Sequence, residues 1–119
     1  TLKTTEITRK KSDLLEGTCA VHGIEEVLDK RDVVIIIDPI ESEVDKFRDV
    51  LAKGVGLTVI AVSTKDTPFP TIRIPEAGEL NQFVQIAAGW NILVETGLML
   101  GINLDKPERA RKVGNEFTG

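Results

Sequence analysis

Four positions of the chain carry side chains of the types that proteins use for proton transfer and nucleophilic attack. His22 is the only histidine, and it lies in a glycine-bounded loop, where its ring either meets a ligand or has no role. Glu6 follows Lys3 at a spacing that usually gives a solvated ion pair on a helix. Lys112 belongs to a basic tail whose simplest role is solubility. Cys19 is more often a small buried hydrophobe than a nucleophile.

Other kinds of chemistry have no motif in the sequence. There is no Walker loop, no G-x-G-x-x-G, no serine elbow and no Cys/His spacing that suggests zinc. The net charge of -4 argues against nucleic acid or an anionic membrane as the main partner. The longest apolar region, residues 86–102, is interrupted by Asn91, Glu95 and Thr96, which indicates a core helix and not a membrane span. A single cysteine fits a reducing cytoplasm, where we expect the protein to act.

The element that must position these side chains is the run R-D-V-V-I-I-I-D-P at residues 31–39. Its five consecutive β-branched apolar residues lack the alternation of a strand with one wet face. They predict a strand buried on both sides, in the middle of a parallel sheet with helices packed on both faces. The Asp-Pro step ends the strand, because proline cannot donate to the ladder.

The remaining pattern predicts an α/β protein of 119 residues, which is one domain at most. A helix over residues 41–53 joins the first strand to the second in a β-α-β unit, and a third, proline-fenced strand is typical of a sheet edge. The opening helix has no N-cap or preceding strand, so we expect one piece of a longer protein as readily as a complete domain. The predicted elements are a helix at 1–12, a site loop at 16–24, strands near 33–38, 57–62 and 71–75, helices at 41–53 and 79–102, and a tail at 104–119.

Three motifs, in this order, resemble the C-terminal part of a sugar isomerase (SIS) domain, specifically the isomerase half of glutamine:fructose-6-phosphate amidotransferase (glucosamine-6-phosphate synthase). L-K-T-T-E-I-T at residues 2–8 is similar to the family's L-K-L-K-E-I-S helix, and V-H-G at 21–23 falls on its K-H-G-P loop. L-D-K-P-E-R-A-R-K-V at 104–113 is similar to its D-x-P-R-N-L-A-K-S-V ending. The resemblance covers nearly the whole chain and implies an incomplete SIS domain, a three-layer α/β/α sandwich of flavodoxin-like type with a mainly parallel sheet.

The resemblance also implies a role for each candidate residue. Glu6 falls on the general base that moves a proton between the first two sugar carbons, and Lys3 on a helix lysine near that base. His22 falls on the histidine that assists ring opening and reaches into the neighbouring subunit's site. Lys112 falls on the lysine that can form an imine with the open-chain ketose. The implied substrates are fructose 6-phosphate and glucosamine 6-phosphate, with a homodimer and no cofactor.

Several positions depart from the family pattern. Ile24 stands where the family has a proline, Cys19 where it has a glutamate, and Lys11 where it has a second histidine. The phosphate-binding loop of the family is not in this chain, so we expect the rest of the SIS domain to be needed for a complete synthase. Two other interpretations therefore stay open: a phosphosugar-binding or regulatory module without turnover, or a related deglycase or deaminase. A third is a generic α/β interaction domain whose helix at 79–102 forms a dimer interface.

Overall fold

The chain divides into two compact units that share its longest helix. The computed structural model describes residues 1–109. One unit contains residues 13–89, and the other contains residues 1–12 and, within the described part, residues 90–109. The α-helices are α1 (Leu2–Thr8), α2 (Val44–Phe47) and α3 (Asn81–Met99). The strands are β1 (Val33–Ile37), β2 (Thr58–Ser63) and β3 (Thr71–Arg73).

The three strands form one parallel sheet in the order β1-β2-β3. Val33 of β1 is paired with Thr58 of β2, and Ala61 of β2 is paired with Thr71 of β3. The predicted α/β class with a parallel sheet is therefore confirmed. Among residues 1–109, the proline-fenced third strand also lies at an edge of the sheet, as predicted, where the missing N–H of a proline does not break a ladder.

The segment between β1 and β2 is helical from Glu41 to Val55, but it is not one regular α-helix. A 3-10 turn, Glu41–Glu43, leads into α2, and α2 continues as a π-helical segment, Arg48–Val55. The N–H of Gly56 donates to the carbonyl oxygen of Leu51 at 3.0 Å. Gly56 has a φ of 81°, a left-handed conformation that glycine adopts without steric cost, and it ends the helix there.

The core of this unit lies between one face of the sheet and the crossover helix. Leu51 of the π-helical segment is fully buried, and Phe47 of α2 is 5% exposed. Val34 and Ile36 of β1 pack against the same cluster. The buried members of the cluster are Ala20, Val21, Phe47, Leu51, Leu57, Val59, Ala61 and Phe69.

The prediction that β1 is a central strand buried on both faces is wrong. Among residues 1–109, β2 is the middle strand and β1 lies at an edge. Val33, Ile35 and Ile37 are 56%, 40% and 48% exposed. The crossover helix covers the face that carries Val34 and Ile36, and the alternate side chains point to the other face. The unbroken apolar run therefore forms a strand with one exposed face, although its sequence lacks the usual alternation of apolar and polar residues.

In the other unit, α1 is shorter than the helix predicted for residues 1–12. It ends because Arg9 adopts a left-handed conformation with a φ of 55°. The N–H of Arg9 still donates to the carbonyl oxygen of Thr5 at 3.1 Å, as in an αL helix cap. The Arg9 guanidinium bonds to the Glu108 carboxylate and to the carbonyl oxygen of Lys106, the latter at 3.3 Å.

The long helix begins and ends inside the predicted 79–102. A 3-10 turn, Gly78–Leu80, leads into α3, which ends at Met99. Within the described part of the chain, no helix has the length and apolar character needed to cross a membrane. The apolar residues of α3 do not form a fully buried surface, since Phe83 and Trp90 are 68% and 55% exposed.

Candidate functional site

The predicted base and its neighbouring lysine lie together on the exposed face of α1. Lys3 Nζ donates to Glu6 Oε2 at 2.6 Å, and the two side chains are 54% and 47% exposed. Helical spacing of three residues places them one turn apart on the same side, which explains the ion pair. The arrangement pairs the Glu6 carboxylate with an ammonium while leaving it open to a solvent-borne ligand.

The opposite face of α1 explains why this pair points outward. Thr8 is buried, and its hydroxyl donates to the carbonyl oxygen of Thr4 at 2.7 Å. Ile7 contacts Gly97 closely enough that a β-carbon on Gly97 would lie 3.3 Å from Ile7 Cγ2. Since Ile7 is turned toward Gly97 of α3 and Thr8 is buried, the helix period leaves Lys3 and Glu6 on the exposed side.

His22 lies in a loop that the hydrophobic core holds in place. Ala20 and Val21, immediately before it, are 4% and 3% exposed and belong to the core. Gly23, immediately after it, has a φ of 107°, which explains why a glycine follows the histidine. The N–H of Gly23 donates to Glu25 Oε2 at 2.6 Å. The His22 side chain itself is exposed, on a backbone fixed at both ends.

The imidazole of His22 contacts a residue that the sequence did not single out. Its Nε2 lies 3.0 Å from Nζ of Lys46, in α2. Lys46 is half-buried and stands beside Phe47, which is anchored in the core. No motif links the two positions, because β1 and the turn after it separate them in sequence. Only the packing of the loop on α2 brings them together.

Cys19 is exposed, and its thiol is free. The expectation of a small buried hydrophobe is wrong here, because Ala20 and Val21 take the core positions of the 3-10 turn Cys19–Val21. The carbonyl oxygen of Cys19 accepts a 3.3 Å bond from the N–H of His22. Cys19 therefore contributes a backbone contact to the loop and exposes its side chain to solvent.

The predicted catalytic set falls into three places. Lys3 and Glu6 are together in the unit that contains α1, and His22 belongs to the unit that contains the sheet. Lys112, the proposed imine-forming lysine, lies outside the described residues. The start of its tail is described, and Lys106 and Glu108 contact Arg9 at the end of α1. The structure thus supplies the local geometry of Glu6 and of His22, each within its own unit.

The carboxyl ends of the strands form a second polar region, at the sheet edge where α/β proteins commonly bind ligands. Lys65, after β2, donates to Glu41, after β1, at 3.2 Å, and Arg73 donates to Asp66 at 2.8 Å. Each of these cations is bonded to a carboxylate. The carboxylates neutralise part of the positive charge at this edge, which makes it a weaker anion site than its cations alone suggest.

The amino end of β1 borders a shallow depression of about 720 Å³. Two of its lining residues form an ion pair: Arg31 Nη2 donates to Asp29 Oδ2 at 2.6 Å, and the Arg31 backbone N–H donates to Asp29 Oδ1 at 2.7 Å. These two bonds lower the pKa of Asp29 to about 2. The lining residues are Glu25, Leu28, Asp29, Lys30, Arg31 and Val55. Because the arginine and the aspartate satisfy each other, we assign the depression no ligand.

No metal centre is formed by the described part of the chain. Across residues 1–109, His, Cys, Asp and Glu side chains nowhere gather in a group of three that could hold an ion. The candidate residues themselves offer a carboxylate on α1, an imidazole bonded to an amine, and a thiol.

Comparison of the chain with protein-family models gives no match, and comparison with curated proteins gives none either. The likeness to SIS domains thus stands on the three motifs quoted above. The structure adds the α/β class and the local surroundings of Glu6 and His22.

Proposed function

We propose that this chain is the C-terminal part of a SIS domain that acts on a ketohexose or amino-sugar 6-phosphate, in a reaction like that of glucosamine-6-phosphate synthase. The observation that carries the proposal is the motif L-K-T-T-E-I-T, which forms α1 and presents Lys3 and Glu6 as an exposed pair 2.6 Å apart. In this proposal the parallel sheet is part of a three-layer, flavodoxin-like sandwich, completed by segments beyond this chain.

Glu6 serves as the general base of the proposed isomerisation. Its carboxylate takes the proton from the sugar carbon next to the carbonyl and returns it to the neighbouring carbon, which interconverts ketose and aldose through an enediol. The Lys3 ammonium orients the carboxylate through Oε2. The exposure of Glu6 supports this role, because a base buried against α3 could not reach a substrate carbon.

His22 and Lys112 act before and around that step. His22 donates a hydrogen bond to the sugar ring oxygen and so assists ring opening. For amine transfer, the Lys112 amine adds to the open-chain carbonyl and forms an imine with loss of water; ammonia then displaces the lysine amine, and the proton shift proceeds through an enolamine in place of the enediol. The contacts of Lys106 and Glu108 with Arg9 support the role of the tail, since they attach its first part to the end of the helix that carries Glu6.

A phosphosugar-binding module without turnover is the second candidate, and Cys19 favours it. Cys19 stands where the family has a glutamate, so the carboxylate that the family carries in this loop is absent here. A module of this kind would bind the sugar phosphate through the same loop and leave its carbon–hydrogen bonds intact.

The test is made on the complete gene product that contains this chain. It is incubated with fructose 6-phosphate, with and without glutamine or ammonium, and the formation of glucose 6-phosphate and glucosamine 6-phosphate is followed. Borohydride is added in parallel, and the labelled peptide is identified by mass spectrometry. We expect turnover and trapping at Lys112, both lost in Lys112→Ala, with Lys53→Ala, at an exposed lysine, as the matched control that keeps both. Binding without turnover or trapping would support the regulatory module, and absence of binding would overturn both.

A further inference from the structure

The contact between His22 and Lys46 specifies the protonation pattern of the imidazole ring. Their side-chain nitrogens, Nε2 and Nζ, are 3.0 Å apart, a normal hydrogen-bond distance. A lysine ammonium has three N–H donors and no acceptor. The ring nitrogen must therefore accept the bond, and in a neutral imidazole the proton then stands on Nδ1.

Both side chains are attached to backbone that the core holds rigidly. Val21, beside His22, and Phe47, beside Lys46, are 3% and 5% exposed and belong to the same hydrophobic cluster. Lys46 is half-buried, so its hydrocarbon stem is held against the protein while its ammonium reaches the ring. Packed neighbours on each side thus hold the backbone positions from which the two side chains meet.

The carboxylates of the same helical segment are engaged by other cations. Arg48 donates to Asp45 at 2.7 Å and to Asp49 at 3.1 Å, and Lys53 donates to Asp49 at 2.9 Å. Asp45 and Asp49 are thus bonded to Arg48 and Lys53, and neither carboxylate is bonded to Lys46. Lys46 is directed to the imidazole instead.

We infer that Lys46 is a positioning residue for His22: it fixes the ring orientation and holds the Nδ1–H tautomer, so that Nδ1 is the donor offered to a ligand. The part of this inference that concerns the sugar rests on the proposed function, with the Nδ1–H donating to an oxygen of the sugar phosphate. The tautomer itself does not depend on any ligand.

The tautomer can be read directly, because His22 is the only histidine of the chain. The ¹⁵N-labelled chain is recorded at about pH 8.5, above the range in which histidine ordinarily titrates, and long-range ¹H–¹⁵N correlations identify the protonated nitrogen. We expect Nδ1–H in the unaltered protein. We expect Lys46→Met to shift the ring toward Nε2–H, and Lys46→Arg, which keeps a donor, to retain Nδ1–H. Lys53→Met, on the same helical segment, is the matched control and leaves the ring unchanged.

An Nε2–H ring in the unaltered protein, or an unchanged ring in Lys46→Met, overturns the inference. The tautomer of the unaltered protein is measured without any variant, so the inference can be tested even if Lys46→Met folds poorly. In the complete gene product, we expect Lys46→Met to lower turnover by roughly 10-fold to 100-fold, as for a displaced catalytic group, and Lys46→Arg to restore most of it. The unaltered protein could show an Nδ1–H ring while Lys46→Met leaves turnover unchanged. That result would leave the tautomer assignment standing, but it would contradict the role of His22 in the proposed reaction.

Discussion

A β-carbon placed on Gly97 would lie 3.1 Å from the backbone oxygen of Ile7, closer than most real contacts of this kind. It would also lie 2.6 Å from Cδ2 of Leu104. Gly97 is buried in α3, and Ile7 belongs to α1, so the absent side chain is what lets these two helices approach. The proposed base on α1 is therefore positioned by a glycine in another helix.

Substitution of Gly97 tests this packing. We expect Gly97→Ala to lower the free energy of unfolding by about 1–3 kcal/mol, the usual cost of overpacking, because the backbone of Ile7 cannot move aside as a flexible side chain would. Gly89→Ala, in the same helix, meets no atom within 4 Å and should instead gain roughly 0.5–1 kcal/mol from helix propensity. Urea denaturation of both variants measures the difference. Equal changes in the two would show that α1 does not pack on Gly97.

The Asp29–Arg31 pair predicts how stability depends on pH. Hydrogen bonds from the Arg31 side chain and backbone lower the pKa of Asp29 from 3.8 to about 2. A carboxyl whose pKa is depressed by folding stabilises the native state above its unfolded pKa, and this contribution is lost as pH falls toward the folded value. We expect Asp29→Asn to lower Tm at pH 7 and to approach the Tm of the unaltered protein as pH falls toward 2.

For the Asp29–Arg31 pair, the quantity to measure is the difference in Tm between Asp29→Asn and the unaltered protein. It is recorded by circular dichroism in steps from pH 7 to pH 2. Asp13→Asn, at an exposed aspartate, is the matched control. A Tm difference between Asp29→Asn and the unaltered protein that stayed constant down to pH 2 would contradict the lowered pKa.

Neighbouring positions of β1 should differ sharply in their response to truncation. Ile36 packs against the core, whereas Ile35 is 40% exposed. We expect Ile36→Ala to cost about 2 kcal/mol or more, since a buried isoleucine loses both transfer energy and packing, and Ile35→Ala to cost less than about 1 kcal/mol. Equal losses, measured by chemical denaturation, would mean that the exposed face of β1 is covered in solution.

The ion pair on α1 makes a prediction about catalysis. If Glu6 is the base, Glu6→Gln should reduce isomerisation by the complete gene product roughly 10²-fold to 10⁴-fold, the usual contribution of a general base. Lys3→Met should have a smaller effect, because Lys3 orients the carboxylate without touching the substrate. Glu16→Gln, at an exposed glutamate, is the matched control. Isomerisation by Glu6→Gln at the level of this control would remove Glu6 from the mechanism.

Much of the fold was readable because β-branched runs and proline fences act locally. They located all three strands, and the intervening helix followed from its apolar stripe. The burial of β1 was not readable, since five apolar residues in a row give no sign of which face is covered. The end of α1 was not readable either, because Arg9, unlike glycine, carries no local signal for a left-handed conformation.

The candidate site was readable only in part, for a similar reason. Lys3 and Glu6 are three residues apart on one helix, so spacing alone predicted their contact. The contact of His22 with Lys46 depends on how a loop packs on α2, which no local pattern encodes. The burial predicted for Cys19 is wrong because residue type indicates only average burial, and in this turn Ala20 and Val21 fill the core positions.

The edge position of β1 also has a consequence for aggregation. Within residues 1–109, β1 pairs with a strand on one side only, which leaves N–H and C=O groups on its other side for another extended chain. Val33–Ile37 combines that edge with β-branched apolar residues and no charge. Arg31 and Asp32 precede this segment, and Asp38 and Pro39 follow it. Charges and a proline in these places act as gatekeepers that oppose strand-to-strand association. The residues that flank β1 are therefore placed to oppose pairing of this edge with a second copy of the chain.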